Sequence, residues 1–180
     1  MNLNKNIFRE YDVRGIADID FKGEFPYRLG QAFAHYIIKN QKGKNIAVSG
    51  DVRLSTDRLK EDFIRGLSSI GVNVIDIGTL PTPINYFSNY CKNIQVDGSV
   101  QITGSHNPSD YNGFKFTLNK KPFFADKIQE LYYIMESFEK HEPIVSNLKG
   151  FIKMEDIKSS YINDLISRIK ISRKMRIVMD

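Results

Sequence analysis

The sequence predicts an α/β domain: a three-layer αβα sandwich on a mostly parallel four-stranded sheet with one antiparallel edge strand. Two observations lead there. Segments with apolar residues at helical spacing alternate with short β-branched runs, and such alternation implies βαβ units and a parallel sheet buried on both faces. Gly or Pro closes several of these segments, where loops must turn. The composition agrees with a folded domain, since the 180 residues are 41% apolar and 26% charged, a balance that supports one sizeable core.

The elements follow in order. Phe25, Leu29, Ala32, Phe33, Tyr36 and Ile37 recur at helical spacing, and residues 45–49 read as a short apolar strand. Ser55 is placed to cap a second helix, Asp57 suits its first turn, and Leu59, Phe63, Leu67 and Ile70 form its apolar face until Gly71. Residues 72–77 make the next strand, closed by Gly78; Pro81 and Pro83 then break the chain before a helix over 84–93. A third strand spans 99–102 and a fourth 114–118. Only residues 103–113 separate those two, without a helical period, so the fourth is expected to run antiparallel at the sheet edge. Ile128, Leu131, Tyr132 and Met135 describe one more amphipathic helix, ending near Lys140.

Beyond it, residues 141–155 read as a linker, Tyr161, Leu165 and Ile169 as a helix face, and 175–179 as a buried strand. The first domain is therefore expected over 1–150, and 151–180 as a linker helix and the first strand of a second domain whose remainder lies outside the chain.

Lys and Arg number 26 against 21 Asp and Glu, but Arg168, Lys170, Arg173, Lys174 and Arg176 stand together without an acid and supply the whole excess of +5. A uniformly basic nucleic-acid surface is not indicated, and no aromatic platform accompanies that run. Cys91 is the single cysteine, which excludes an intrachain disulfide or a multi-cysteine zinc site and suits the reducing cytoplasm. No apolar run approaches the length that spans a bilayer, so no membrane partner is expected.

In open α/β sheets, ligands gather at the carboxyl ends of the strands. Residues 50–55, 78–83 and 103–108 are the loops that leave those ends. For the first two, turn chemistry accounts for the residues, with Ser55 as a cap and Asp51 pairing with Arg53. The third asks for more. Gly104 lets the backbone approach a ligand, Ser105 offers a hydroxyl, His106 and Asn107 add donors, and Pro108 stiffens the exit. A serine of this kind serves either a base-activated hydrolase or a phosphoserine that hands on its phosphoryl group. Adjacent residues in a strand or loop point apart, so His106 is not expected to face Ser105 and deprotonate it in a triad. The Gly-x-Ser-x-Gly elbow is absent as well. Lys115, Arg14 and Arg9 supply cations that favour phosphate, although Arg14 alone reads as half of a surface ion pair.

Phe8-Arg9-Glu10-Tyr11-Asp12-Val13-Arg14-Gly15, the loop from Asp51 to Ser55, Pro81-Thr82-Pro83, the stretch from Thr103 to Pro108 and Asn112-Gly113-Phe114-Lys115 occur in that order. Together they closely resemble the amino-terminal domain of the α-D-phosphohexomutases, in the bacterial phosphomannomutase/phosphoglucomutase branch, over about the first 140 residues. The family usually has Gly-Arg before the Asp of the first loop, where Ser49-Gly50 stand here, and often a Gly where Ser99 stands.

The resemblance implies a division of labour. Ser105 would carry the phosphoryl group, giving it to one end of a hexose phosphate and recovering it from the other through a hexose 1,6-bisphosphate, which also serves as activator. Mg²⁺ would bind an oxygen of the Ser105 phosphate, its other ligands belonging to the family's second domain. Lys115 would be the general acid/base, tuned by the like charge of Arg14. His106, Tyr11 and Asn107 would hold the sugar phosphate. Tyr11, Arg14, Ser105, His106 and Lys115 are then expected on one cleft edge. The partners implied are a hexose phosphate and the remaining domains of the same enzyme, without which the fragment is expected to be inactive. A non-catalytic module that binds phosphate or a partner through the same pocket is the alternative.

Overall fold

Strand and helix follow one another much as the periodicities require. The computed structural model describes residues 3–40, 43–143 and 145–179; Met1, Asp180 and Ile144, which falls in the expected 141–155 connection, lie outside them. After a 3-10 turn, Lys5–Ile7, come β1 (Val13–Ile16), α1 (Ala17–Asp20), α2 (Phe25–Lys39), β2 (Asn45–Gly50), α3 (Thr56–Ser69), β3 (Asn73–Thr79) and α4 (Thr82–Ser88). They are followed by β4 (Gly98–Ile102), β5 (Tyr111–Leu118), β6 (Lys121–Pro122), α5 (Asp126–Ser137), β7 (Ile152–Met154) and α6 (Lys158–Arg168).

The sheet is mixed and has seven strands, in the order β1-β5-β4-β2-β3-β7 with β6 paired to β5. β4, β2, β3 and β7 run parallel, whereas β5 is antiparallel to β4, β1 and β6. The fourth expected strand, β5, is thus antiparallel as its short connection requires, but it is not the edge. β1 covers its far side, with Val13 opposite Phe114 and Ile16 opposite Tyr111. Four residues that include Arg14 and Gly15 show no apolar alternation, so this edge strand was hidden. β7 lies inside the expected linker and pairs with β3, Val74 opposite Ile152.

Alternate strand residues feed two apolar clusters, as the period of 2 dictates. Ile46, Val48, Val100, Ile102, Phe114 and Phe116 pack with α2, α3 and α5 through Phe33, Phe63 and Leu131. On the other face, Ala47, Ile75 and Ile77 meet Ile84 of α4 and Ile157, with Phe87 and Tyr161 beside them. The α2–α3 crossing is backbone on backbone. A Cβ on Gly30 would lie 2.3 Å from Phe63 O, and one on Gly66 2.1 Å from Tyr27 O.

Several details differ from expectation, among them β5, which begins at Tyr111 rather than at 114. α4 begins before Pro83, because a first-turn proline forfeits no helical hydrogen bond, and ends at Ser88 rather than Asn93. Ser55 precedes α3 but makes no capping bond; its Oγ accepts from Asn112 Nδ2 at 2.8 Å instead. Residues 175–179 form no strand and are exposed. A strand needs a neighbour to satisfy its backbone, and the described residues offer this one none. Among the described residues, no helix is long and apolar enough to cross a membrane.

Candidate active site

Because β2, β3 and β4 are parallel, the loops at their carboxyl ends open on one edge of the sheet. The backbone ties them together: Asp51 N donates to Ile102 O, Leu80 N to Gly50 O and Thr103 N to Gly113 O, each at 2.9 Å. Side chains reinforce the ties. Asp51 Oδ1 accepts from Thr56 Oγ1 at 2.7 Å and from Arg53 N at 3.0 Å, and Asn112 Nδ2 also donates to Thr56 Oγ1 at 3.0 Å. Burial works against the Asp51 carboxylate, yet hydrogen bonds from Thr56, the Arg53 backbone and Thr103, with the Arg53 charge, outweigh it and hold the group below the usual carboxylate range.

Ser105 is exposed beyond the end of β4, and its backbone is left-handed, with φ 55°. Its N–H donates to Thr103 Oγ1 at 2.9 Å. The left-handed residue redirects the chain, so Ser105 and His106 do not point apart as they would in extended backbone. Ser105 Oγ stands 3.3 Å from His106 Nδ1, which corrects the expectation that the two side chains would not face each other. Asn107, expected among the residues that hold the sugar phosphate, donates its Nδ2 to Gly104 O at 2.8 Å and braces the turn. Arg53 lies against Gly104, where an added Cβ would come within 2.4 Å of Arg53 Cζ. Arg53 does pair with Asp51, Nε to Oδ2 at 3.2 Å, but it also spans the serine loop.

The second group is built on β1 and β5. Val13 and Phe114 face the core, so Arg14 and Lys115 take the opposite face, and Lys115 lies across the ladder from Gln101. Asp12, only 2% exposed, joins them. Its Oδ2 accepts from Arg14 Nε at 3.0 Å, from Arg14 Nη2, and from Lys115 Nζ at 3.0 Å. Arg14 therefore does not act on Lys115 by bare like-charge repulsion, since one carboxylate serves both cations. Sequence reasoning missed Asp12, although its place between Tyr11 and Arg14 in the motif was the available signal. Tyr11 stacks on Phe124, with centroids 6.3 Å apart, and lines with Lys115, Tyr86, Tyr90 and Lys120 a concavity of about 380 Å³. The Tyr86 phenol is pushed up by burial and by the Asp12 charge.

Ser105, Asp51, Arg53 and Asn107 border a separate cleft of about 780 Å³. The expected residues thus form two groups on neighbouring strands: Tyr11, Arg14 and Lys115, then Ser105 with His106. Among the described residues no hydrogen bond links the two groups; the Lys115 ammonium goes to Asp12 and the Ser105 hydroxyl to His106.

Beneath the loops, Ser49 and Ser99, which stand where the resemblance led us to expect glycine, are both hydrogen-bonded. Asn85 Nδ2 donates to Ser49 Oγ at 2.8 Å, Ser49 Oγ to Gln101 Oε1 at 2.6 Å, and Asn89 Nδ2 to Ser99 Oγ at 2.8 Å. Asn85 on α4 and Asn89 just beyond its end thus give both buried hydroxyls a donor.

Comparison with known proteins agrees with this geometry. Residues 5–142 match the family model described as phosphoglucomutase/phosphomannomutase, alpha/beta/alpha domain I. The chain is 36% identical to a phosphoglucomutase of Neisseria meningitidis serogroup A, over 99% of the chain and 38% of the relative. It is 37% identical to a phosphomannomutase of Vibrio cholerae, over 90% of the chain and 35% of the relative. Among solved structures, a phosphoglucomutase/phosphomannomutase family protein of Burkholderia thailandensis superposes with a TM-score of 0.84 at 31% identity, covering 95% of this chain and 37% of that one. The chain spans little more than a third of the length of these relatives. With its motifs, its mixed sheet and these relatives in agreement, the chain belongs to the phosphoglucomutase/phosphomannomutase family, as that family's first domain.

Proposed function

We propose that this chain is the phosphoserine-bearing domain of a phosphohexomutase, with Ser105 as the phosphoryl carrier between the 1- and 6-positions of a hexose phosphate. The observation that carries the reading is Ser105 itself: an exposed hydroxyl held on a left-handed residue at the carboxyl edge of the sheet, 3.3 Å from an imidazole nitrogen. In the transfer, the sugar hydroxyl passes its proton to Lys115, the general acid/base of this reading, as it bonds to phosphorus, and the Ser105 oxygen gains one as its P–O bond breaks. His106 is within reach of that oxygen. Lys115 and Arg14 supply the cations for the phosphate, and Tyr11 a phenol and ring for the sugar. A hexose 1,6-bisphosphate recharges the serine.

Mg²⁺ belongs to the reading only in part. Among the described residues no three His, Cys, Asp or Glu side chains cluster as a metal site requires. The Ser105 phosphate would give one oxygen, and the remaining ligands would come from another domain. The two apolar clusters on alternate strand residues support three layers, the boundary near residue 150 and a further domain follow from the family, and the single buried Cys91 suits the cytoplasm.

The test is covalent. In the protein joined to its remaining domains, tryptic mapping should find phosphate on the Ser105 peptide, and Ser105→Ala should lose it with nearly all turnover. Lys115→Met should keep the phosphate but slow transfer by on the order of 10². Phosphate binding without any phosphoserine would replace this reading with that of a non-catalytic module.

A further inference from the structure

One side chain gathers the carbonyls of the serine loop. Arg53 Nη2 donates to Ser105 O at 3.0 Å and to Asn107 O at 2.7 Å; Nη1 donates to Tyr111 O at 3.0 Å and to Pro108 O. Asp51 Oδ2 holds Nε at 3.2 Å, and the Arg53 side chain is 14% exposed. A planar guanidinium with five fixed donors can serve this many acceptors at once, whereas an ammonium, with three donors on one atom, cannot. The loop's own bonds are local: Ser105 N to Thr103 Oγ1, Asn107 N and Nδ2 to Gly104 O, and Tyr111 N to Pro108 O. Those bonds do not by themselves explain why a residue with a Cβ stays at φ 55°.

Gly104 gives a second, independent observation. The three atoms nearest an added Cβ there are Arg53 Cζ, Nε and Nη1, at 2.4, 2.6 and 2.7 Å. Gly104 is not among the residues with positive φ, so its backbone would accept alanine. What excludes a side chain first is the guanidinium lying against it.

We propose that Arg53 is the positioning residue of the phosphoryl carrier. By drawing in the carbonyls of residues 105, 107, 108 and 111, it holds Ser105 left-handed with its hydroxyl exposed beside His106. The same bonds commit four carbonyl dipoles to a cation, so these do not oppose a dianionic phosphoryl group on the serine. This inference rests on the reading of Ser105 as the carrier, but the loop geometry can be tested without it.

The first measurement is amide exchange of the 180-residue chain, read on peptides covering 103–111, where Ser105 N, Asn107 N and Tyr111 N are hydrogen-bonded. Arg53→Ala should speed exchange there by about tenfold or more while α2 and α3 keep their protection, and added guanidinium ion should slow it again. Arg53→Lys should not restore protection. Gly104→Ala should mimic Arg53→Ala in the natural background and add little to it in the double variant, because both remove one contact. Equal effects of Gly104→Ala in both backgrounds, or loop exchange unchanged by Arg53→Ala and Arg53→Lys, would overturn the proposal. Should Arg53→Ala fail to fold, Arg53→Lys and Gly104→Ala decide. In the protein joined to its remaining domains, Arg53→Lys should lower kcat about tenfold or more with KM nearly unchanged. Absence of phosphate from Ser105 in the natural protein would remove the carrier reading, while the exchange result would still judge the clamp.

Discussion

Asp12 shows how one buried carboxylate can organise a site that sequence reading assigned to its cations. It accepts from both Arg14 and Lys115 while almost fully buried, so Asp12→Asn leaves two partly exposed cations with a neutral partner. The expected loss is about 2 kcal/mol, the worth of hydrogen bonds to a charged group, read by urea unfolding of the chain. Retained stability would mean that solvent serves both cations equally well. Asp51 makes an acid-side prediction. Its folded pKa lies below the unfolded one, so the stability it contributes is complete above the unfolded value, about 3.9, and is lost as pH falls through the lower folded value. Asp51→Asn should therefore destabilise the chain at neutral pH yet flatten its acid limb. The Asp51–Arg53 pair, two residues apart, was legible beforehand, but Lys115 as a partner of Asp12 and the loop carbonyls as partners of Arg53 were not, because they lie far away along the chain.

At the scale of the element, α2 carries two tests. His35 has its Nε2 buried without a partner among the described residues and its ring 5.6 Å from that of Phe138, and burial lowers its pKa. The unfolded chain therefore takes up this proton first as pH falls. Stability should drop as pH passes below about 6.5 and level off below the folded value, whereas His35→Leu should flatten unfolding curves over that window. Gly66→Ala tests the α2–α3 crossing. Helix propensity alone would favour alanine by about 1 kcal/mol. The new Cβ, however, would lie 2.1 Å from a backbone oxygen that cannot rotate away, so a net loss of about 1–3 kcal/mol is expected, seen as a lower Tm. Helices were the most legible elements, because periodicity in Phe25–Lys39 and Thr56–Ser69 is a local property. β1 and β7 were not, since four and three residues form strands only where β5 and β3 offer an edge.

For the whole molecule, the proposed reading makes one quantitative demand. Residues 1–180 alone should show no measurable interconversion of glucose 1-phosphate and glucose 6-phosphate with Mg²⁺ and bisphosphate, because positioning and charge stabilisation are most of phosphoryl-transfer catalysis and this chain lacks a complete metal-ligand set among its described residues. Turnover by the chain alone would contradict that demand. The sequence alone determined the α/β class, the order of the main helices and strands, the antiparallel sense of β5 and the serine loop, because periodicity, turn residues and connection length act over a few neighbouring positions. Only the tertiary structure decided that β5 is interior, that His106 turns toward Ser105, that Asp12 joins Arg14 to Lys115 and that Arg53 gathers the loop. Each of those depends on strand register or on a left-handed residue, and both are settled by contacts between segments distant in the chain.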